Sequence, residues 1–327
     1  MRAIRIYEPG EPDKLVLEEV PKPKRKEGWS LVKVLGFGIN HSEVFTRKGQ
    51  SPSVQFPRIL GIECVGVVEE TTDEVRLPLG QQVISIMGEM GRAFDGGYAE
   101  YVLLPNEQIY PVHTSLPIES WAALPETYYT AYGSMKNLHL TEECGAGNDR
   151  EMSVLVRGAT SGVGVAFLRL VKARAPQIRV TGTSRSESKA GLLMREGFDS
   201  VVIDVDNTLQ TEESYDRVFD LIGPAALRDT FSHMKESAIV CCTGLLGGVW
   251  TLEDFDPLED MPANAYLTSF HSGNVDEARL QEMIDYVERY GVNLSPGRVF
   301  SLEQVPEAHR WLESGKSFGK PVVIVNE

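Results

Sequence analysis

The segment Val154-Leu-Val-Arg-Gly-Ala-Thr-Ser-Gly-Val-Gly-Val-Ala-Phe-Leu-Arg-Leu170 constrains the fold of this chain more than any other. A short β-branched run enters a glycine-punctuated turn and leaves as an apolar-periodic helix. Gly158, Gly162 and Gly164 let the backbone turn tightly, approach a pyrophosphate and pack the helix against the strand. Ala159, Ser161 and Val163 complete the turn. The helix N-terminus that follows aims unpaired N–H groups and a positive dipole end at an anion. Glycine turns also serve as plain strand-to-helix connections. Here the strand before and the helix after supply the context a phosphate cradle needs.

The next strand narrows the ligand. Ile178-Arg-Val-Thr-Gly-Thr-Ser-Arg-Ser-Glu-Ser-Lys189 reads as a strand running into a helix. Its tip falls about 20 residues beyond the glycine turn, where an NAD site carries Asp or Glu against the ribose 2′-hydroxyl. This chain instead has Thr183, Ser184 and Arg185, with Lys189 a helical turn further on. A carboxylate would repel a 2′-phosphate, whereas a hydroxyl and two cations would hold it through charge-assisted hydrogen bonds. The expectation is NADP(H). The plainer alternative is a solvated helix start bearing surface cations.

At 327 residues the chain exceeds one ordinary domain, so two are expected. Lys+Arg 32 against Asp+Glu 47 gives a net charge of −15. So acidic a surface argues against nucleic acid or an anionic membrane as partner, though local Arg and Lys decide the fate of a small anionic cofactor. Met1-Arg-Ala-Ile-Arg-Ile-Tyr7 starts a strand pattern at once, and no apolar run reaches a membrane-spanning length. Cys64, Cys144, Cys241 and Cys242 lack framework spacing and read as reduced thiols. The expected location is the cytoplasm.

Residues 1 to about 122 read as β-rich, with strand-like runs at Ala3–Ile6, Leu15–Val20, Ser30–Phe37, Cys64–Glu69, Gln82–Ile86 and Tyr98–Leu103. Ser42–Arg47 suits a short helix. From Trp121–Leu124 and Thr130–Leu138, both helical in pattern, regular strand–helix alternation begins. Strands are expected at Ser153–Val156, Arg179–Thr183, Ser200–Ile203, Arg217–Ile222 and Ala238–Thr243, with Tyr266–Phe270 adding one more. Crossovers of this kind build a parallel sheet covered on both faces. Val275–Tyr290 is an amphipathic helix, and Arg298–Ser301 and Val322–Val325 are expected to return to the first sheet. The stretch Thr141–Arg150, rich in Gly and charge, reads as the least regular.

These residues resemble a known family. The β-rich start, the Ala159-Thr-Ser-Gly-Val-Gly164 turn and the terminal Ser314-Gly-Lys-Ser-Phe-Gly-Lys-Pro-Val-Val-Ile324 look like the medium-chain dehydrogenase/reductases. Within them the chain is most similar to the zinc-independent quinone oxidoreductases, the zeta-crystallin-like branch. Val34-Leu-Gly-Phe-Gly-Ile-Asn-His-Ser-Glu43, Phe56-Pro-Arg-Ile-Leu-Gly-Ile-Glu-Cys-Val-Gly-Val-Val68, Gly96-Gly-Tyr-Ala-Glu-Tyr101 and Ala123-Leu-Pro-Glu-Thr-Tyr-Tyr-Thr-Ala-Tyr132 carry the likeness. It implies an α/β chain: a GroES-like β-rich catalytic domain from 1–122 and 272–327, and a Rossmann doubly wound parallel-sheet domain from 123–271. It also implies a homodimer joined at the edge of the nucleotide-binding sheet.

Departures from the zinc-dependent members matter as much. A catalytic Cys there corresponds to Asn40, a His to Ile62 and a second Cys to about Glu126. An amide, an alkyl group and one carboxylate cannot supply three zinc ligands. Met87–Asp95 lacks the four cysteines of the structural zinc lobe. No metal is expected. Reducing a quinone or enone needs no Lewis acid, because conjugation already spreads the incoming charge. The expectation is an NADPH-dependent, zinc-independent reductase passing hydride to a quinone or other α,β-unsaturated carbonyl. The alternatives are an NADPH-binding redox-sensing or structural protein with little turnover, or an enoyl or aldehyde reductase.

The resemblance also distributes roles. Asn40 orients the substrate carbonyl or the nicotinamide, or else caps the following helix. His41 and Ser42 match positions that touch cofactor phosphates and relay a proton, with a plain loop histidine as the alternative. Thr130 matches a threonine at the nicotinamide. Phe45, Ile62 and Glu126 line the substrate pocket, which the resemblance places near Asn40, Thr130 and Leu245. Phe45 and Ser51 stand near two positions where bacterial relatives carry tyrosines. Tyr128, Tyr129 and Tyr132 are candidate replacement donors, or core residues. Gly223, Thr243, Gly244 and Leu245 follow the ends of the fourth and fifth strands, where open parallel sheets bind ligands. Gly319 and Lys320 match the C-terminal motif that approaches the cofactor, with a surface lysine beside a tight turn as the alternative.

Overall fold

The computed structural model describes residues 1–141 and 152–325. The stretch read as least regular lies, from residue 142 on, outside them, as does Cys144. The chain divides into two compact units. The first takes Met1–Thr127, Ser272–Ile284 and Leu294–Glu327; the second takes Tyr128–His271 and Asp285–Asn293.

In the first unit, strand Trp29–Gly38 is central. It pairs antiparallel with Glu63–Glu70, Tyr101–Pro105 and the C-terminal strand Pro321–Ile324. Pro321–Ile324 pairs in turn with Arg298–Ser301, so both late strands do return to this sheet. Gln82–Ile86 and Tyr110–Pro111 extend it on the other side, and Arg2–Ile6, Val16–Glu19 and Arg58–Ile59 form a three-stranded sheet. Alternating residues such as Val32, Val34, Val68 and Val83 fill the core with Phe37, Tyr98, Phe300 and Val323. This is the GroES-like fold the sequence implied.

The second unit is built on a parallel sheet. From one edge its strands run Ser200–Val205, Arg179–Ser184, Ser153–Arg157, Tyr215–Asp220, Met234–Cys242 and Tyr266–Ser269, with Thr208–Leu209 as an antiparallel addition at the first edge. Numbered along the chain, the parallel strands have the order 3-2-1-4-5-6, the dinucleotide-binding arrangement. The switch point lies between Ser153–Arg157, which runs into the glycine turn, and Tyr215–Asp220.

Local differences from the sequence reading have identifiable causes. The expected strand Arg217–Ile222 is Tyr215–Asp220, because the Asp220 carboxylate accepts the N–H groups of Ile222 (2.8 Å) and Gly223 (2.8 Å) and ends the ladder. The strand expected from Tyr98 starts at Tyr101, since the Tyr98 N–H donates to Leu60 and the Ala99 N–H to Gly97. The two early helices are Ile118–Ala123 and Pro125–Asn137, the second opening on proline as a helix start favours. Helix Val305–Glu313, unforeseen in the sequence, buries Val305, Ala308, His309 and Leu312 along one face.

Candidate active site

The first unit gathers a buried polar cluster at the end of its central strand. Strand Trp29–Gly38 runs through Ile39 into helix His41–Arg47, and Asn40 is that helix's N-cap. The Ile39 N–H donates to the Pro321 carbonyl at 3.1 Å, which brings Lys320 alongside. Glu63 opens the neighbouring strand. Lys320 Nζ donates to Glu63 Oε1 at 2.6 Å and to Asn40 Oδ1 at 2.5 Å, and Asn40 Nδ2 donates to the same Glu63 Oε1 at 2.9 Å. Glu63 Oε2 accepts the Glu126 N–H at 2.7 Å. Glu63 is fully buried and Lys320 nearly so. Gly38 makes the room: a Cβ there would overlap Lys320 Cε and Glu63 Oε1.

A second carboxylate braces the turn. Glu43 Oε2 accepts the Asn40 N–H at 2.9 Å and Oε1 accepts the Ile62 N–H at 3.0 Å. Burial, with Glu63 nearby, pushes the Glu43 carboxyl up to about 7. Asn40 thus takes up the capping position that the sequence offered as one alternative, while its side chain points into the Lys320–Glu63 pair. Beside it, Arg92 Nη2 donates to Ser42 Oγ at 2.7 Å. Burial lowers the basicity of His41, favouring neutral imidazole. Phe45 is half-buried on the same helix, and Ile62 is buried. Lys320, which the resemblance directs toward a cofactor, has two of its three donors committed within this unit.

The second unit carries the glycine turn. Gly158 has φ +82°, the left-handed region that glycine tolerates. Ser161 caps helix Gly162–Arg174: its Oγ accepts the Gly164 N–H at 3.1 Å and donates to the Gly158 carbonyl at 2.8 Å. The Gly158 N–H donates to Thr183 Oγ1 at 3.1 Å, tying the turn to the tip of the second strand. Ala159 is buried under the turn, while Gly162 and Val163 stay half-exposed at the helix start.

At that tip Ser184 is buried and its hydroxyl donates to the Ser186 carbonyl, so it shapes the strand end. Arg185 is exposed and Lys189 half-buried; burial, then the Arg185 charge, holds the Lys189 ammonium below its ordinary value. Gly223 (φ +85°), Thr243, Gly244 and Leu245 follow the fourth and fifth strands, and Thr243 Oγ1 shares a hydrogen bond with Ser134 at 3.0 Å. Thr130 is buried in helix Pro125–Asn137. Tyr128, Tyr129 and Tyr132 are core residues, Tyr128 donating to the Asn293 carbonyl and Tyr129 and Tyr132 packing on Phe270 and Tyr286. Gly319, with φ +72°, precedes Lys320.

Sequence reasoning missed Glu43, Glu63, Arg92 and Gly38. The Glu three residues after Asn40 was a legible capping box; the other three come from separate strands and turns.

A GroES-like fold and a dinucleotide-type parallel sheet in one chain define a two-domain dehydrogenase/reductase. Residues 26–114 match the alcohol dehydrogenase GroES-like domain, and residues 197–323 match the family described as zinc-binding dehydrogenase. The quinone oxidoreductase of Lama guanicoe is 27% identical over 341 residues, covering 99% of this chain and 98% of its own. The yhdH oxidoreductase of Salmonella enterica in complex with NADP shares the fold with a TM-score of 0.84 at 20% identity, over 100% of both chains. The Bacillus subtilis protein yhfP with NAD bound does so with a TM-score of 0.83 at 22% identity, over 99% and 98%. The chain belongs to the medium-chain dehydrogenase/reductase superfamily.

The zinc in that family description finds no fitting donor set here. Among the described residues, no three His, Cys, Asp or Glu side chains converge as ligands. Asn40 and Ile62 stand at two of the expected positions, and of the two carboxylates beside Asn40, Glu63 is engaged by Lys320 and Glu43 by the Asn40 and Ile62 N–H groups.

Proposed function

We propose that the protein is an NADPH-dependent reductase that delivers hydride to a quinone or another α,β-unsaturated carbonyl without a metal ion. The observation that carries this reading is the glycine turn held by Ser161 and Thr183 beside the Arg185–Lys189 pair. Its relatives named quinone oxidoreductases, and the NADP and NAD complexes of its structural neighbours, support it.

When bound, the reduced nicotinamide supplies a hydride to the conjugated carbon. The N–H groups of Gly162 and Val163, at the start of helix Gly162–Arg174, would face the pyrophosphate, and Arg185 with Lys189 would take the 2′-phosphate. Gly223, Thr243, Gly244 and Leu245 would flank the nicotinamide ribose, and Thr130 the nicotinamide. Asn40 donates to the acceptor's carbonyl oxygen as negative charge develops there. Ser42, whose Oγ already accepts from Arg92, has its own hydroxyl proton left to give to that oxygen. Solvent restores it. Phe45, Ile62 and Glu126 line the acceptor's place.

The protein is also proposed to be a homodimer joined along strand Tyr266–Ser269. That strand ends the parallel sheet and exposes Tyr266 and Leu267.

The test is steady-state oxidation of NADPH and NADH by chelator-treated protein with a quinone, an enone and an aldehyde. Turnover of the conjugated acceptors with NADPH preferred is the expected result. Loss of activity on chelation with recovery on adding zinc, or a strong preference for NADH, would overturn it.

A further inference from the structure

Resting on that reading of the reaction, we propose that Lys320 and Glu63 are positioning residues that lock the Asn40 amide as a hydrogen-bond donor toward the acceptor oxygen. Lys320 is then not a cofactor contact.

The argument is one of orientation. An asparagine amide presents a carbonyl on one side and an NH₂ on the other, and in most sites it can exchange them by a half-turn. Here the exchange is blocked. The carbonyl oxygen faces the Lys320 ammonium at 2.5 Å, and the NH₂ faces the Glu63 carboxylate at 2.9 Å. A half-turn would set NH₂ against an ammonium and oxygen against a carboxylate, replacing two attractive charge-assisted contacts with two repulsive ones. Lys320 and Glu63 hold each other at 2.6 Å, and both are buried, so water screens little of the penalty.

The donor count gives the chemical consequence. Glu63 takes one of the two Nδ2 protons, and the second has no partner among the described residues. With its oxygen turned to Lys320, Asn40 presents a ligand with an N–H. Such a group favours a substrate atom that gains negative charge, as the oxygen of a conjugated carbonyl does on accepting hydride. It gives no comparable help to a hydroxyl that must lose its proton.

Steady-state kinetics of Asn40→Asp, Lys320→Met, Lys320→Arg and the double variant Lys320→Met/Glu63→Gln provide the test, together with NADPH dissociation constants by fluorescence titration. Asn40→Asp, nearly isosteric but stripped of its donor, should lower kcat about 100-fold. Lys320→Met should lower kcat about 10-fold or more, with KM and Kd for NADPH within about twofold, and Lys320→Arg should recover much of the loss. The double variant leaves no stranded buried charge, so it carries the test where Lys320→Met fails to fold.

A raised KM and Kd for NADPH with kcat intact would make Lys320 a cofactor contact and overturn the proposal, as would an unchanged kcat. A readout independent of turnover is the side-chain amide NMR signal of Asn40. The proton held by Glu63 and the one left for a ligand should exchange with solvent at widely different rates in the wild type, and this difference should shrink in Lys320→Met. If they behave alike in both, the lock is absent. If the lock is seen but no conjugated carbonyl is reduced, the assigned reaction fails instead.

Discussion

Arg157 and Asp204 form an ion pair inside the second unit: Arg157 Nη2 lies 2.9 Å and Nε 3.2 Å from Asp204 Oδ2, with the guanidinium fully buried. Arg157 sits immediately before Gly158 of the phosphate turn. It also donates to the Ala226 and Asn207 carbonyls and to Thr230 Oγ1, and pairs with Asp229 at 2.8 Å. One side chain thus ties the glycine turn to the third strand's end and to helix Leu227–Ser232.

Removing that guanidinium strands the buried Asp204 carboxylate. Arg157→Met should destabilise the protein by about 3–5 kcal/mol in urea denaturation, because an unpaired buried charge costs more than the pair returns. A change below about 1 kcal/mol would show that the network is not the anchor described.

Arg185→Asp places a carboxylate where the 2′-phosphate is proposed to lie. KM for NADPH should rise about 10- to 30-fold while that for NADH changes little. Equal losses with both coenzymes would make Arg185 structural.

Gly164→Ala would set a Cβ 2.8 Å from Ala159 Cα and from the Gly158 carbonyl oxygen, both backbone atoms of the turn. The turn must open to admit it. Cofactor affinity, read by fluorescence titration, should fall about 10- to 100-fold, since a shift near 1 Å is enough to spoil such contacts. Unaltered binding would mean that the phosphates lie elsewhere.

Glu43 titrates at about 7 in the folded protein against an ordinary 4.5. Because the folded value is raised, the native state holds a proton that the unfolded chain releases. The resulting stabilisation is complete below pH 4.5 and is lost as pH rises through about 7. Glu43→Gln keeps a capping side chain but cannot titrate. Between pH 4.5 and 8 the wild type should therefore lose about 3 kcal/mol relative to this variant. Parallel pH–stability curves would contradict that environment for Glu43.

Much of the architecture was legible locally. The β-branched run, glycine turn and apolar-periodic helix of 154–170 can satisfy their backbone only as strand, turn and helix, and the structure keeps them so. The missing carboxylate after strand Arg179–Ser184 was equally readable, because a fold's ribose contact sits at a near-fixed distance along the chain. Helix Val305–Glu313 escaped because Pro306 in its first turn and its short length blurred the periodicity.

Sequence alone determined the two fold types and the nucleotide turn, since periods of two and 3.6 residues and the turn chemistry are written within some twenty residues. It also determined that an amide occupies the position of a metal ligand. Tertiary structure decided what that amide can do. Lys320 reaches Asn40 across 280 positions and Glu63 across 257, and Arg92 reaches Ser42 across 50. Such pairings leave no local signature; the two made by Lys320 exist only once antiparallel register has laid the C-terminal strand beside Gly38.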